Sequence, residues 1–170
     1  MTARLPLAGL AADLARLDAD ERPFLTQIDV RAARMAVEGL GFPIRPNTTS
    51  IWSEGDVLWL GPDEWLVVAD PGRAPELLET LGTAFGPSHR SVVDVSANRA
   101  VFDLHGPDRF DRLASGCPID LHPRSWGPGR CAQTVFGTAP VLLHERRDAT
   151  RVFVRPSFAG YVLALLDAPV

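Results

Sequence analysis

Across residues 24–85 the apolar positions change period in an order that predicts strand, helix, strand, strand, strand, helix. A strand is expected over 25–30. The helix after it carries Ala33, Ala36, Val37 and Leu40 at a spacing that sets them on one face, and Gly41 and Pro43 stop it. Strands follow at 49–53 and 57–60. Gly61-Pro62-Asp63-Glu64 has the residues of a tight turn, so 65–69 should return antiparallel. Beyond Pro71, the residues Ala74, Leu77, Leu78, Leu81, Ala84 and Phe85 recur at helical spacing, with Arg73, Glu76 and Glu79 between them.

Residues 99–166 run through nearly the same order. A strand at 101–104 leads through Gly106-Pro107 into a helix with Phe110, Leu113, Ala114 and Cys117 on one face, and a loop rich in Pro and Gly then runs over 118–129. Strands are expected at 131–136, 141–144 and 152–155. After Pro156 a last helix should turn Phe158, Tyr161, Val162, Leu165 and Leu166 inward. The pattern predicts an α+β domain over 23–170, made of two similar strand-helix-strand-strand-strand-helix units, about 24–85 and 99–166, with mainly antiparallel sheets. The halves share element order and little residue identity. Residues 91–98, a strand running into a polar turn, form the expected junction, too poor in Gly, Ser and Pro for a flexible linker. Residues 1–22 fall outside both halves. Leu7, Leu10, Leu14 and Leu17 could give this N-terminal arm a narrow apolar stripe, for packing on its own domain or on a partner chain.

A chain of 170 residues that is 46% apolar and 22% charged lies in the globular range, which sets aside disorder, collagen-like repeats and coiled coil. No apolar run approaches the roughly 20 residues of a membrane span. The short run after Arg4 is broken by Pro6 and Gly9 and ended by Asp13, so no signal peptide is read and a cytoplasmic location is expected. Cys117 and Cys131 are too few for a disulfide framework and are expected as reduced thiols. The net charge is −4, and all 17 basic residues are arginines. Without lysine the chain can form neither a pyridoxal Schiff base nor a P-loop. With no basic run longer than Arg146-Arg147, no nucleic-acid surface is expected.

Candidate chemistry is sparse. Cys117, His122 and Cys131, with His105 or His144, are the best collection of metal ligands. They lack paired Cys-x-x-Cys or His-x-x-x-His spacing, and Cys117 continues a buried helix stripe, so no metal is assigned. Ser96 beside Asp94 reads as a side chain bonding turn backbone, since no Gly-x-Ser-x-Gly elbow is present. No Gly-x-Gly-x-x-Gly opens a helix after a strand, and Gly127-Pro128-Gly129 reads as a turn. Trp52, Trp59 and Trp65 crowd one strand cluster, as core packing or as a flat pocket for a pterin or flavin ring. Asp63 and Glu64 are neighbours in a turn, where adjacent carboxylates point different ways. No catalytic or cofactor-binding residue is assigned.

Several stretches carry a resemblance. They are Leu58-Trp59-Leu60-Gly61-Pro62-Asp63-Glu64-Trp65-Leu66, Val93-Asp94-Val95-Ser96-Ala97-Asn98-Arg99, Gly116-Cys117-Pro118-Ile119-Asp120-Leu121-His122-Pro123-Arg124, Cys131-Ala132-Gln133-Thr134 and Arg155-Pro156-Ser157-Phe158-Ala159. From about Phe24 onward the chain resembles the gamma subunits of bacterial heterotetrameric sarcosine oxidases. More distantly, 93–113 is similar to folate-dependent aminomethyltransferases such as the glycine-cleavage T-protein, which implies their folate-binding fold of duplicated units. Those enzymes carry a carboxylate beside the folate amine. Here the matching segment, Val154-Arg155-Pro156-Ser157-Phe158-Ala159-Gly160-Tyr161, has no acid.

The resemblance implies a non-catalytic structural and assembly subunit of a flavin-dependent complex that oxidises sarcosine to glycine, hydrogen peroxide and 5,10-methylenetetrahydrofolate. It implies alpha, beta and delta partner subunits carrying FAD, FMN and NAD, with tetrahydrofolate as co-substrate and no cofactor on this chain. The isolated chain would be free to pair with itself as a homodimer. The signature positions are then expected to be structural or interfacial: Trp59, Gly61, Pro62, Asp63, Glu64, Trp65, Asp94, Ser96, Asn98, Arg99, Cys117, Asp120, His122 and Arg124. The alternative is a small folate-binding protein or one-carbon transferase acting alone, with the tryptophan-rich half as its pocket.

Overall fold

The computed structural model describes residues 5–53 and 55–168. In chain order its elements are a 3-10 turn (Ala8–Leu10), α1 (Ala11–Arg16), β1 (Ala19–Glu21), β2 (Thr26–Ala32), α2 (Arg34–Glu38), β3 (Thr49–Trp52), β4 (Gly55–Gly61), β5 (Glu64–Ala69), α3 (Ala74–Phe85), β6 (Arg90–Asp94), β7 (Ala100–Leu104), α4 (Arg109–Ala114), β8 (Arg130–Phe136), β9 (Ala139–Glu145), β10 (Thr150–Val154) and α5 (Pro156–Leu166). The strands form two five-stranded antiparallel sheets, ordered β3-β4-β5-β2-β6 and β1-β7-β10-β9-β8. The chain divides into a continuous unit, Phe24–Ala97, and a split unit, Met1–Pro23 with Asn98–Val170.

In the continuous unit the β4–β5 hairpin pairs Leu58 with Leu66 and Trp59 with Trp65, and a bulge between Trp59 and Gly61 tightens the turn over Pro62 and Asp63. Leu77, Leu81 and Phe85 are the buried stripe of α3 and join Ile28, Val30, Val57, Trp65 and Val67 in one core. Fully burying each of these large side chains is worth about 1.5–3 kcal/mol. Helix α2 stops at Glu38, before the expected Leu40, and Gly41 reverses the chain at φ +78°, which glycine adopts without strain.

In the split unit, Phe102, Leu104, Phe136, Leu143, Val152 and Val154 face Leu113, Val162 and Leu166 in a second core. Helix α4 is shorter than expected. Cys117 lies beyond it, held by its N–H to the Leu113 carbonyl at 2.9 Å, and Ala114 is exposed. Helix α5 buries Ala159, Val162, Leu163 and Leu166, whereas the expected inward Tyr161 lies at the stripe's margin, 43% exposed, beside Gly137.

The two sheets explain why the N-terminal arm is not outside the fold. β1 pairs with β7, and Leu7, Leu14 and Leu17 sink into the split unit's core, with Leu10 packed against it. Likewise β6, read as a junction, is a full member of the continuous unit's sheet through its pairing with β2. The repeat therefore begins one strand earlier than periodicity suggests. Each repeat opens with an edge strand, β1 or β6, that completes the sheet built by the other repeat's remaining strands.

Candidate functional site

The signature residues fall into groups on separate units. In the continuous unit, Trp65 is fully buried, its Nε1–H donating to the Pro43 carbonyl at 2.8 Å and its ring meeting the edge of Phe42 at 6.3 Å. Trp52 and Trp59 pack partly buried against the same core. Trp65 thus fills the interior, while Trp52 and Trp59 lie at its margin. At the turn, Asp63 and Pro62 are exposed, while the half-buried Glu64 pairs with Arg31 at 2.8 Å. Burial and the nearby Asp29 charge push the Glu64 carboxyl up, against the pull of Arg31.

Asp94 and Ser96 form a bonded turn that anchors the end of β6. The Asp94 carboxylate accepts from the Ser96 N–H at 2.9 Å and from its hydroxyl, and the same hydroxyl oxygen accepts from the Gln27 N–H at 3.0 Å. The Ser96 hydroxyl therefore joins the Asp94 carboxylate to the backbone of β2, and it is the Asp94 side chain, not that of Ser96, that bonds the turn backbone. Asn98 is exposed and Arg99 half-buried at the start of the split unit's second segment.

The densest polar organisation lies in the split unit, around the loop between α4 and β8. Asp120 folds the loop on itself, accepting from the His122 N–H at 3.0 Å and the Ser125 hydroxyl at 2.6 Å. The Ser125 and His122 donors together hold its carboxyl below the ordinary range. His122 Nδ1 accepts from the Arg124 N–H at 3.2 Å, and the His122 carbonyl takes the Ser125 and Trp126 N–H groups. Buried Leu121 and Trp126 pin the loop to the core.

Beneath the loop, Glu145 at the end of β9 is only 1% exposed and accepts hydrogen bonds from Arg109 at 3.0 Å, from Trp126 Nε1–H at 3.1 Å and from the Thr150 hydroxyl. Arg109 also caps the Gly106 carbonyl at 2.9 Å and lies 4.1 Å from the Phe110 ring centroid. A second buried acid, Asp103 on β7, pairs with Arg151 and with Arg22, both at 2.7 Å. Burial alone would raise its carboxyl, but the hydrogen bonds and charges of the two arginines outweigh that and hold it low.

Sequence reasoning did not select Glu145, Arg109, Asp103, Arg151 or Trp126. The signal for two of them was present, since Asp103 and Arg151 interrupt strands that are otherwise apolar. Glu145 stood beside Arg146-Arg147 and read as part of a solvated charged stretch. The metal candidates are scattered by role. Cys117 is buried with its thiol pushed up to about 11 by desolvation, His122 is exposed in the loop, and buried Cys131 lies opposite His144 in the β8–β9 register. Among the described residues no group of three or more His, Cys, Asp or Glu side chains is placed to hold a metal. Nor is any helix among them long and apolar enough to cross a membrane.

Comparison with known proteins adds what geometry alone does not. Residues 26–169 match the profile of the sarcosine oxidase, gamma subunit family. The sarcosine oxidase subunit gamma of Corynebacterium sp. (strain U-96) is 38% identical over 184 aligned positions, which cover 97% of this chain and 89% of that one. The Arthrobacter sp. subunit gamma is 42% identical, covering 72% and 64% of the two chains. A chain of the heterotetrameric sarcosine oxidase from Corynebacterium sp. U-96, solved in complex with pyrrole 2-carboxylate, superimposes with a TM-score of 0.84 at 35% identity, covering 96% of this chain and 92% of that chain. The glycine cleavage system aminomethyltransferase T from Bartonella henselae gives a TM-score of 0.64 at 13% identity over 87% of this chain and 44% of that chain, a likeness of fold alone.

Proposed function

This chain belongs to the sarcosine oxidase gamma subunit family, and from that premise we propose that it is the structural, assembly-directing small chain of a flavin-dependent sarcosine oxidase. The reading gives it alpha, beta and delta partners and places FAD, FMN and NAD on those chains. The assembled enzyme would oxidise the N-methyl group of sarcosine with dioxygen, releasing glycine and hydrogen peroxide and passing the one-carbon unit to tetrahydrofolate as 5,10-methylenetetrahydrofolate. A cytoplasmic location goes with that chemistry.

The observation that carries this reading is the extent of the likeness: nearly the whole of this chain matches nearly the whole of a chain from a heterotetramer. The interior polar groups support a scaffold. Asp103 and Glu145 spend their oxygens on arginines, Trp126 and Thr150 of the same chain, whereas a general acid or base must face the proton it moves. The signature loop at 117–126 and the Asp94 turn are held by internal bonds in the same way. Their proposed role is to present a fixed outer surface to the larger subunits.

Co-expression with neighbouring flavoprotein genes, followed by size-exclusion chromatography, tests the proposal. The chain is expected to co-elute with the flavin absorbance at equal stoichiometry, and to be colourless and inert toward sarcosine when purified alone. A chain that never joins the larger peak, or one that turns over sarcosine by itself, would overturn it.

A further inference from the structure

We propose that the loop between α4 and β8 builds a binding site for an oxyanion between Arg124 and Arg130. A cavity of about 570 Å³ opens in the split unit, lined by Pro123, Arg124, Ser125, Trp126, Pro128 and Arg130 among others. It is an open, mostly polar depression rather than an enclosed pocket. The chemistry of its wall is set by two guanidiniums, whose planar forks match the paired oxygens of a carboxylate or phosphate.

Arg130 carries the argument. It stands directly opposite Glu145 in the β8–β9 register, where a cross-strand ion pair would be the simple outcome. Glu145 instead gives one oxygen to Arg109 and the other to Trp126 and Thr150. The acid of the loop itself is also engaged, because both Asp120 oxygens accept from within the loop. Arg130 is left half-buried, with its Nε closed off from solvent and without an acceptor among the described residues. The shielded Nε is itself out of reach of an anion in the cavity; the charge of the half-buried guanidinium, which Glu145 does not balance, is what an anion held there would offset. Arg124 brings a second, exposed cation to the same cavity, on a loop that Asp120 and His122 hold in shape. The buried Trp126 indole closes one wall.

The group bound is an oxyanion, which could arrive as a free phosphate or as the carboxylate of an acidic side chain. The proposal stands on this chain alone and does not depend on the family reading. Its test uses the full chain labelled with ¹⁵N-arginine, titrated separately with inorganic phosphate and with acetate at constant ionic strength, with chloride as the control. The Arg130 Nε–Hε resonance is expected to move saturably at millimolar anion and to stay put in chloride. Saturation by phosphate alone assigns a phosphate site, and saturation by acetate as well assigns a carboxylate site. R124Q, on an exposed loop position, should keep the wild-type melting temperature and weaken binding about tenfold, and R130Q should abolish it. No saturable shift with either anion, an equal shift in chloride, or undiminished binding by R124Q would overturn the proposal.

Discussion

Arg151 grips Asp103 with two parallel hydrogen bonds, Nε to Oδ1 at 2.7 Å and Nη2 to Oδ2 at 3.0 Å, between residues that are register partners on β10 and β7. Arg22 adds a third at 2.7 Å to the same carboxylate. D103N would strand a buried guanidinium, so it is expected to cost about 3–5 kcal/mol, whereas D103L combined with R151M should come close to neutral. Urea denaturation of the two variants measures the difference.

The same pair makes stability depend on acid. The folded state holds the Asp103 carboxyl below its ordinary value, so the unfolded chain takes up the proton first. The stabilisation is complete above the unfolded carboxylate range, about pH 4, and drains away as pH falls from there through the lower folded value. Thermal melts taken stepwise into acid should show a steeper loss for wild type than for D103N, because the variant has already lost what protonation removes. Parallel curves would refute the assignment.

The exchanged edge strands predict a localised effect at the N-terminus. Leu14→Ala removes a side chain buried among the split unit's core residues and should cost about 2–5 kcal/mol. Deleting 1–23 strips β1 from β7 as well. Hydrogen exchange should then speed up in β7 and β10, while β2 and β5, whose sheet partners are untouched, keep their protection. Uniform loss of protection in both sheets would mean that the two units do not open separately.

These cases also show where reading the chain alone stops. The α3 stripe and the β4–β5 hairpin were legible because their determinants are local: Leu77, Leu81 and Phe85 at helical spacing, and Pro62-Asp63 between two apolar runs. β1 was not, since Ala19-Asp20-Glu21 is too short to show a period and becomes a strand only by pairing with residues 102–104. The buried acids were hidden for the same reason. Asp103 is compensated by arginines 48 and 81 positions away, and Glu145 by one 36 positions away. The turn at Asp94-Ser96 could be read from neighbouring residues, whereas Glu145 pairs with Arg109 and not with its register partner Arg130, a choice settled by packing across the fold.

Two glycines should respond to alanine in opposite directions. A Cβ at Gly116 would come within 2.5 Å of the Phe136 ring, which is itself buried in the core, so G116A is expected to destabilise by about 1–3 kcal/mol. At Gly82, inside α3, a Cβ meets nothing within 4 Å, and G82A should stabilise by about 0.5–1 kcal/mol. Melting temperatures of the two variants against wild type decide the matter, and a loss at Gly82 would place an unseen contact on that face.

Cys117 offers a test of the packing around the signature loop. Desolvation pushes its thiol up to about 11, so near neutral pH almost none of it is thiolate, the form that attacks a disulfide reagent. Cys131 is fully buried on β8, out of a reagent's reach. The native chain should therefore leave both thiols unmodified by an aromatic disulfide reagent at pH 8, and unfolding in urea should release two reactive equivalents per chain. Because the Cys117 N–H is tied to Leu113 at the exit of α4, a variant that loosens that exit, such as L113A, should open Cys117 to the reagent before Cys131. Simultaneous release of both thiols in L113A would show instead that the α4 exit and β8 unfold as one unit.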